Sequence, residues 1–408
     1  MTPDQLPAAL SELDARALRR VRRVLDSPQG VRVVLDGKPY LSFSSNDYLG
    51  LARHPAITAA ARQAAQRYGV GAGAAHLLSG HHRLHHELEA ELAAFVGLPA
   101  ALLFSSGYMA SLGVLPALLD RHGEVFEDKL NHASLVDAAL LSRAKLTRYP
   151  HLDLATLEQQ LAASTAKVKL IASDTVFSMD GDLAPLAELL ALAKRFDAWL
   201  YLDDAHGFGV LGEHGQGALG LLAGPYDSRL IYLATLGKAA GVAGAFVAAS
   251  PELTEWLVNK ARTYIYTTAQ PPMLAAAVSA SLQVIAAETW RREHLQALIR
   301  RLKTALAGLP WPLLPSDSPI QPLRVGGNAE ALRLADGLRA QGILLPAIRP
   351  PTVPQGAARL RISLSAAHSL ADVDALSAAL HGLRGPELAG GPERLSASQA
   401  GRPGADDD

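Results

Sequence analysis

Between Ala52 and about Ser250 the chain alternates apolar helical stretches, such as Ala184 to Phe196, with short strand-like runs. Those runs are Ala101 to Phe104, Val168 to Ala172, Trp199 to Leu202, Leu230 to Ala234 and Gly244 to Ala249. Such alternation is the signature of a mostly parallel sheet covered by helices, so the fold class is α/β.

The flanking segments read differently. An amphipathic helix is expected through Leu6 to Val24, then a small hairpin, Val31 to Leu35 and Tyr40 to Phe43, turning at Asp36-Gly37. After a long helical region from Pro272 to Leu309 come strand candidates Gln321 to Val325, Leu344 to Ile348 and Leu360 to Leu364, with helices Ala329 to Gln341 and Leu370 to Gly382. The expected organisation is an arm over 1–45, a large domain over 46–285, a smaller α+β domain over 286–384 and a disordered Gly, Pro, Ser, Ala and Asp-rich tail over 385–408. With 49% hydrophobic and 19% charged residues in 408, there is ample material for a sizeable core.

Charge excludes some partners. The 38 Lys and Arg balance 39 Asp and Glu, which leaves no global attraction to nucleic acid or an anionic membrane. Leu92 to Leu119 carries no charge and is long enough to span a bilayer, but Gly97, Pro99, Ser105, Ser106 and Gly107 break it into helix end, buried strand, turn and new helix. Met1 to Leu25 holds Asp4, Glu12, Asp14 and five arginines without the apolar core of a secretory signal, so a cytoplasmic protein is expected. The absence of cysteine removes disulfides, thiolate metal sites and thiol nucleophiles.

Three segments carry chemistry. In Thr235-Leu236-Gly237-Lys238-Ala239, a lysine between small residues follows an apolar strand. Desolvation there would lower an amine pKa enough for Schiff-base formation, with an ordinary loop lysine as the competing reading. A P-loop does not fit, because Ala239 stands where Ser or Thr is required and no glycine lies five residues before Gly237. In the second segment, the strand from Trp199 ends in Asp203-Asp204-Ala205-His206-Gly207, beyond the carboxyl end where open α/β sheets bind ligands. Asp203 could accept from a protonated ring nitrogen; a helix cap at Asp204 and an Asp/His metal site are the competing readings. In the third, Phe104-Ser105-Ser106-Gly107-Tyr108 leads from a strand into a helix, either as a phosphate cradle or as simple capping.

Together with Phe43-Ser44-Ser45-Asn46-Asp47-Tyr48-Leu49-Gly50, Asn131-His132-Ala133-Ser134, Val176-Phe177-Ser178-Met179-Asp180-Gly181-Asp182 and Arg359-Leu360-Arg361-Ile362, these segments resemble the α-oxoamine synthase family of fold-type I pyridoxal-phosphate (PLP) enzymes. The resemblance implies PLP as cofactor, bound by the large domain, and a homodimer. It implies Lys238 as the residue that carries PLP and moves protons, Asp203 at the pyridinium nitrogen and His132 stacked on the ring. Ser178 and His206 would meet the phenolic oxygen, and Gly107, Tyr108 and Thr235 the phosphate, with Thr268 contributed from a partner subunit. Arg361 with Asn46 would hold the amino acid carboxylate through a forked contact. Arg20 and Thr352 would meet the acyl substrate, with the register open among Arg19, Arg20, Arg22 and Arg23. Within the family, Ile348-Arg349-Pro350-Pro351-Thr352-Val353-Pro354 resembles the branch that condenses L-alanine with a pimeloyl thioester, on CoA or acyl carrier protein. Condensation of glycine with a short acyl-CoA is the alternative.

The chain also departs from the family pattern. Asp174 stands where Glu is common, a change expected to act on hydrogen bonds behind the cofactor. Ala72 to Ala75 replace a more polar Gly-Ser pattern. The run His81-His82-Arg83-Leu84-His85-His86 has i, i+4 pairs that could bind zinc or nickel. No carboxylate partner is implied, however, so a solvated helix start is expected and no metal.

Overall fold

The computed structural model describes residues 1–16, 18–19, 22–224 and 226–384. Arg20 and the expected disordered tail, 385–408, lie outside the described residues. The first helix, Leu6–Ala15, buries none of its residues and is shorter than its sequence suggests, with Arg16 as its C-cap.

Strands β1 (Arg32–Leu35) and β2 (Lys38–Ser42) form the expected antiparallel hairpin. Asp36 and Gly37 turn it with φ of 50° and 73°, the left-handed conformations that Asp-Gly tolerates. β2 also pairs in parallel with Ile343–Leu344, so the hairpin joins the C-terminal part of the chain.

The large sheet holds β3 (Ala100–Phe104), β4 (Gly123–Asp128), β5 (Lys145–Tyr149), β6 (Val168–Asp174), β7 (Trp199–Asp203), β8 (Leu230–Thr235) and β9 (Ala245–Ala249) in the order β3-β9-β8-β7-β6-β4-β5. Only β9 runs against the others. Its strands are apolar on consecutive residues because both faces are covered. Leu200, Leu202, Tyr232 and Ala234 pack into one core, and Tyr201, Ile231 and Leu233 into the other.

β4 and β5 have no counterpart among the strand-like runs of the sequence, because their charges mask them. Glu124 pairs with Lys145 at 2.7 Å and accepts from Thr147 and Ser164, each at 2.5 Å. Glu127 is buried, and burial pushes its carboxyl up to about 8, so it sits in the sheet as a neutral acid at pH 7.

The second sheet contains β10 (Ile320–Gly326), β12 (Ala347–Ile348) and β13 (Ala358–Ser363), antiparallel in the order β10-β13-β12, while β11 (Ile343–Leu344) is the strand that meets the hairpin. The single strand expected over Leu344 to Ile348 is thus split between two sheets. The long helical region is likewise two helices, Pro272–Ala287 and Trp290–Ala305, bent by 68°. Among the described residues no single helix is long and apolar enough to cross a membrane. The run Leu92 to Leu119 is divided among the helix Arg83–Val96, β3 and the helix Gly107–Leu118.

Candidate active site

The carboxyl ends of β3, β6, β7 and β8 lie along one edge of the large sheet and present Ser105 to Gly107, Asp174, Asp203 and Thr235. A cavity of about 180 Å³ opens there, lined by Gly107, Tyr108, His132, Ser134, Asp174, Ser178, Asp203, Ala205, His206, Thr235 and Lys238. Eight of those residues are the ones that the family resemblance implies for the cofactor. Thr268 is not among them; it pairs with Ala75 in an isolated bridge and lines a separate recess with His76 and Ser105.

Strand alternation separates the two adjacent aspartates. Asp203 faces the cavity, its Oδ1 accepting the Ala205 N–H at 3.0 Å. Asp204 turns into the core, where it accepts from the Thr175 hydroxyl, from the Tyr232 hydroxyl at 2.6 Å and from the Ala218 N–H at 2.7 Å. It is thus a structural anchor, and one of its bonds holds the first residue of the short helix Ala218–Leu221. Burial pushes the Asp203 carboxyl up, and the positive charges of Lys238 and His132 oppose that shift.

Lys238 Nζ lies 2.9 Å from His206 Nε2, and His206 Nδ1 lies 2.7 Å from the Tyr48 hydroxyl. Burial pulls the Lys238 amine down to about 8, against the attraction of Asp203 and Asp174. His206 is held well below its ordinary value, first by burial and then by Lys238, so its ring is neutral.

Ser106 caps the helix Gly107–Leu118, its Oγ accepting the Met109 N–H at 3.2 Å. Gly107 follows as the first helical residue. A Cβ there would meet Thr235 Cγ2 at 2.8 Å, so only glycine keeps this backbone against β8. The capping reading is thus what the hydrogen bonds show, and Gly107 beside it lines the cavity.

His132 stands between the cavity and a larger cleft of about 930 Å³. Its N–H donates to Asp174 Oδ1 at 3.3 Å, so Asp174 both positions His132 and lines the cavity. The cleft is lined by His132, Ser178 and Thr352, and among its charged residues Lys129, Arg148, Arg324 and Arg359 outnumber Asp137 and Asp180, the latter paired with Arg359.

Arg361 and Arg359 project from the same face of β13. Arg361 Nε donates to the Ser178 carbonyl at 2.6 Å, and its NH1 donates to Ser363 Oγ at 2.7 Å and Asn46 Oδ1 at 3.3 Å. Arg359 NH1 holds the Met179 carbonyl at 3.0 Å and Asp180 Oδ1 at 2.7 Å. Both arginines thus tether the loop that carries Ser178. Sequence reasoning assigned no role to Tyr48, Ser134 or Arg359, although each lies in a quoted motif. An Arg-x-Arg on a strand, with both side chains on one face, is the signal that could have marked Arg359.

The protein family described as aminotransferase class I and II matches residues 38–380. The 8-amino-7-oxononanoate synthase of Nitrosomonas eutropha is 61% identical over 393 residues, which is 94% of this chain and 100% of that protein.

The chain belongs to the 8-amino-7-oxononanoate synthase family.

Solved structures agree. An 8-amino-7-oxononanoate synthase from Francisella tularensis is 32% identical with a TM-score of 0.74, over 84% of this chain and 97% of that one. A structure of SPT with PLP has a TM-score of 0.86 at 28% identity, over 93% of this chain and 96% of that one. This family member is a fold-type I, PLP-dependent acyltransferase. Its cavity fits that cofactor: the N-terminus of the helix at Gly107 for an anion, a hydroxyl at Thr235, a buried carboxylate at Asp203 and an amine of lowered pKa at Lys238.

Proposed function

We propose that this enzyme condenses L-alanine with a pimeloyl thioester of CoA or acyl carrier protein, giving 8-amino-7-oxononanoate, CO2 and the free thiol carrier. The observation that carries the reading is the cleft of about 930 Å³, with more basic than acidic residues in its lining, which shares His132 and Ser178 with the cofactor cavity. A seven-carbon acyl group ending in a carboxylate suits such a cleft, whereas an acetyl group would leave most of it empty. The names of the relatives support the same choice. The position of Thr268 outside the cavity supports a homodimer.

In this reading Lys238 Nζ takes the α-proton of the bound amino acid and later returns a proton to the product carbon. The chemistry PLP supplies when bound is an electron sink for the α-carbanion. Asp203 would keep the ring nitrogen protonated, and His132 would lie against the ring. Ser178 and His206 would meet its phenolic oxygen, and Gly107, Tyr108 and Thr235 would hold the phosphate. Arg361 and Asn46 fix the amino acid carboxylate, and Thr352 contacts the acyl donor. A pocket for a single methyl group discriminates by only about 1–3 kcal/mol, so selectivity against glycine is modest.

Mass detection of product from isotope-labelled L-alanine with pimeloyl-CoA or pimeloyl carrier protein tests the proposal, with glycine plus acetyl-CoA as the comparison. Turnover with glycine and acetyl-CoA alone would overturn it.

A further inference from the structure

At the start of the helix Arg83–Val96, away from the cofactor cavity, His81, His86 and Glu89 come together. His86 and Glu89 are three residues apart and share one helix face, while His81 approaches from the preceding loop. One ligand atom from each lies within 4.8 Å of the other two, and His81 Nε2 is 4.0 Å from Glu89 Oε2.

The surrounding hydrogen bonds aim these atoms inward. His81 Nδ1 is 2.9 Å from His76 Nδ1; with the shared proton on His81, the Nε2 lone pair turns toward Glu89. Glu89 Oε1 accepts the Leu103 N–H at 3.0 Å, which leaves Oε2 for the cluster. Burial pushes the Glu89 carboxyl up to about 7, and burial together with His86 and His82 holds His81 below its ordinary value.

We propose that His81 Nε2, His86 and Glu89 Oε2 form a binding site for one divalent cation of the zinc, cobalt or nickel class, completed by water. Two imidazoles and a carboxylate suit these ions, and the contacts from His76 and Leu103 are the outer hydrogen bonds that orient such ligands. Metal–ligand bonds of about 2.0–2.2 Å place tetrahedral ligand atoms roughly 3.3–3.5 Å apart, so side-chain rotations of about an ångström close the site.

A neighbouring triad, His76, His81 and His85, is equally compact. There, however, His85 uses both ring nitrogens: Nε2 meets the Gln270 carbonyl at 2.9 Å and Nδ1 accepts the His82 N–H at 3.1 Å. An ion at His85 would uncap the helix. The sequence expectation of no metal rested on a missing carboxylate, and Glu89, just beyond the histidine run, provides it. The bound ion would tie the loop to the helix and, through Glu89, to β3, the strand that leads into Gly107.

Chelator-treated, dialysed holoenzyme titrated with Co2+ tests the site by equilibrium dialysis and by d–d absorption. Expected are one Co2+ per chain, displacement by Zn2+ and a Tm that rises with Zn2+. His86→Gln, an exposed substitution that leaves the fold intact by circular dichroism, and Glu89→Gln should each weaken binding at least about tenfold. His82→Gln should change it by less than about twofold, since its ring contributes no ligand. Absence of saturable binding near one ion per chain would overturn the proposal, as would loss of binding in His85→Gln with full binding in His86→Gln.

Discussion

The Lys238 amine and the His206 ring are joined at 2.9 Å, and the ring continues to Tyr48 at 2.7 Å. Tyr48 donates to Asn46 Oδ1 at 3.1 Å, and Arg361 donates to that same oxygen at 3.3 Å. A single hydrogen-bonded line thus runs from the amine proposed to carry the cofactor to the arginine proposed for the amino acid carboxylate. One tautomer serves the whole line: with the proton on His206 Nδ1, Lys238 donates to Nε2, Nδ1–H donates to the Tyr48 oxygen, and the tyrosine proton goes to Asn46.

Schiff-base formation needs the neutral amine. With Lys238 pulled down to about 8, the neutral form dominates above that pH, where an ordinary lysine would stay charged until about 10.5. The rate at which apoenzyme captures added PLP should rise with pH to about 8 and then level. Stopped-flow absorbance measures it, and a rate still climbing tenfold per unit at pH 9–10 would contradict the shift.

Gly107→Ala drives a methyl group into Thr235 Cγ2 at 2.8 Å. Overpacking of this kind costs about 1–3 kcal/mol, or about five- to 150-fold in PLP affinity if borne by the cofactor site. Thr235→Ser removes the opposing methyl while keeping a hydroxyl. The double variant should therefore bind PLP more tightly than Gly107→Ala alone, by equilibrium dialysis. Additive losses would place the defect elsewhere.

Arg361→Lys keeps the charge and loses the planar fork. The KM for L-alanine should rise at least about tenfold, equivalent to about 1.4 kcal/mol, with the KM for the thioester changed by less than about threefold. Equal rises in both would assign Arg361 to holding the Ser178 loop rather than the carboxylate.

His151 bridges two carboxylates, with Nδ1 at 3.0 Å from Asp128 Oδ1 and Nε2 at 2.8 Å from Asp182 Oδ2, and its ring meets Phe177 edge-on at 4.4 Å. Those carboxylates overcome the effect of burial and push it up to about 10. A raised folded-state pKa stabilises fully below about 6.5 and is lost as pH climbs through about 10. His151→Asn should cost about 1–3 kcal/mol at pH 6, after allowance for screening of a partly exposed ring, and the difference should vanish near pH 10. Tm measured at both pH values checks this; an undiminished difference at pH 10 would mean that packing against Phe177, not charge, is what the histidine provides.

Local pattern alone determined the alternating helices and apolar strands, the hairpin at Asp36-Gly37 and the lysine, aspartate and glycine at strand ends. Those features are short-range: a strand buried on both faces must be apolar on consecutive residues, and a tight turn must tolerate positive φ. Tertiary structure alone decided the features that depend on a distant partner. The charges of β4 and β5 hide two strands until Lys145, Thr147 and Ser164 are seen to satisfy Glu124. Asp203 and Asp204, both buried, differ in role only once Thr175 and Tyr232 are seen to engage Asp204. Tyr48 and His206 are 158 residues apart, and Asn46 and Arg361 are 315 apart. Only chain closure puts such groups within hydrogen-bond reach, because hydrogen bonds act over about 3 Å while sequence pattern reports only neighbours along the chain.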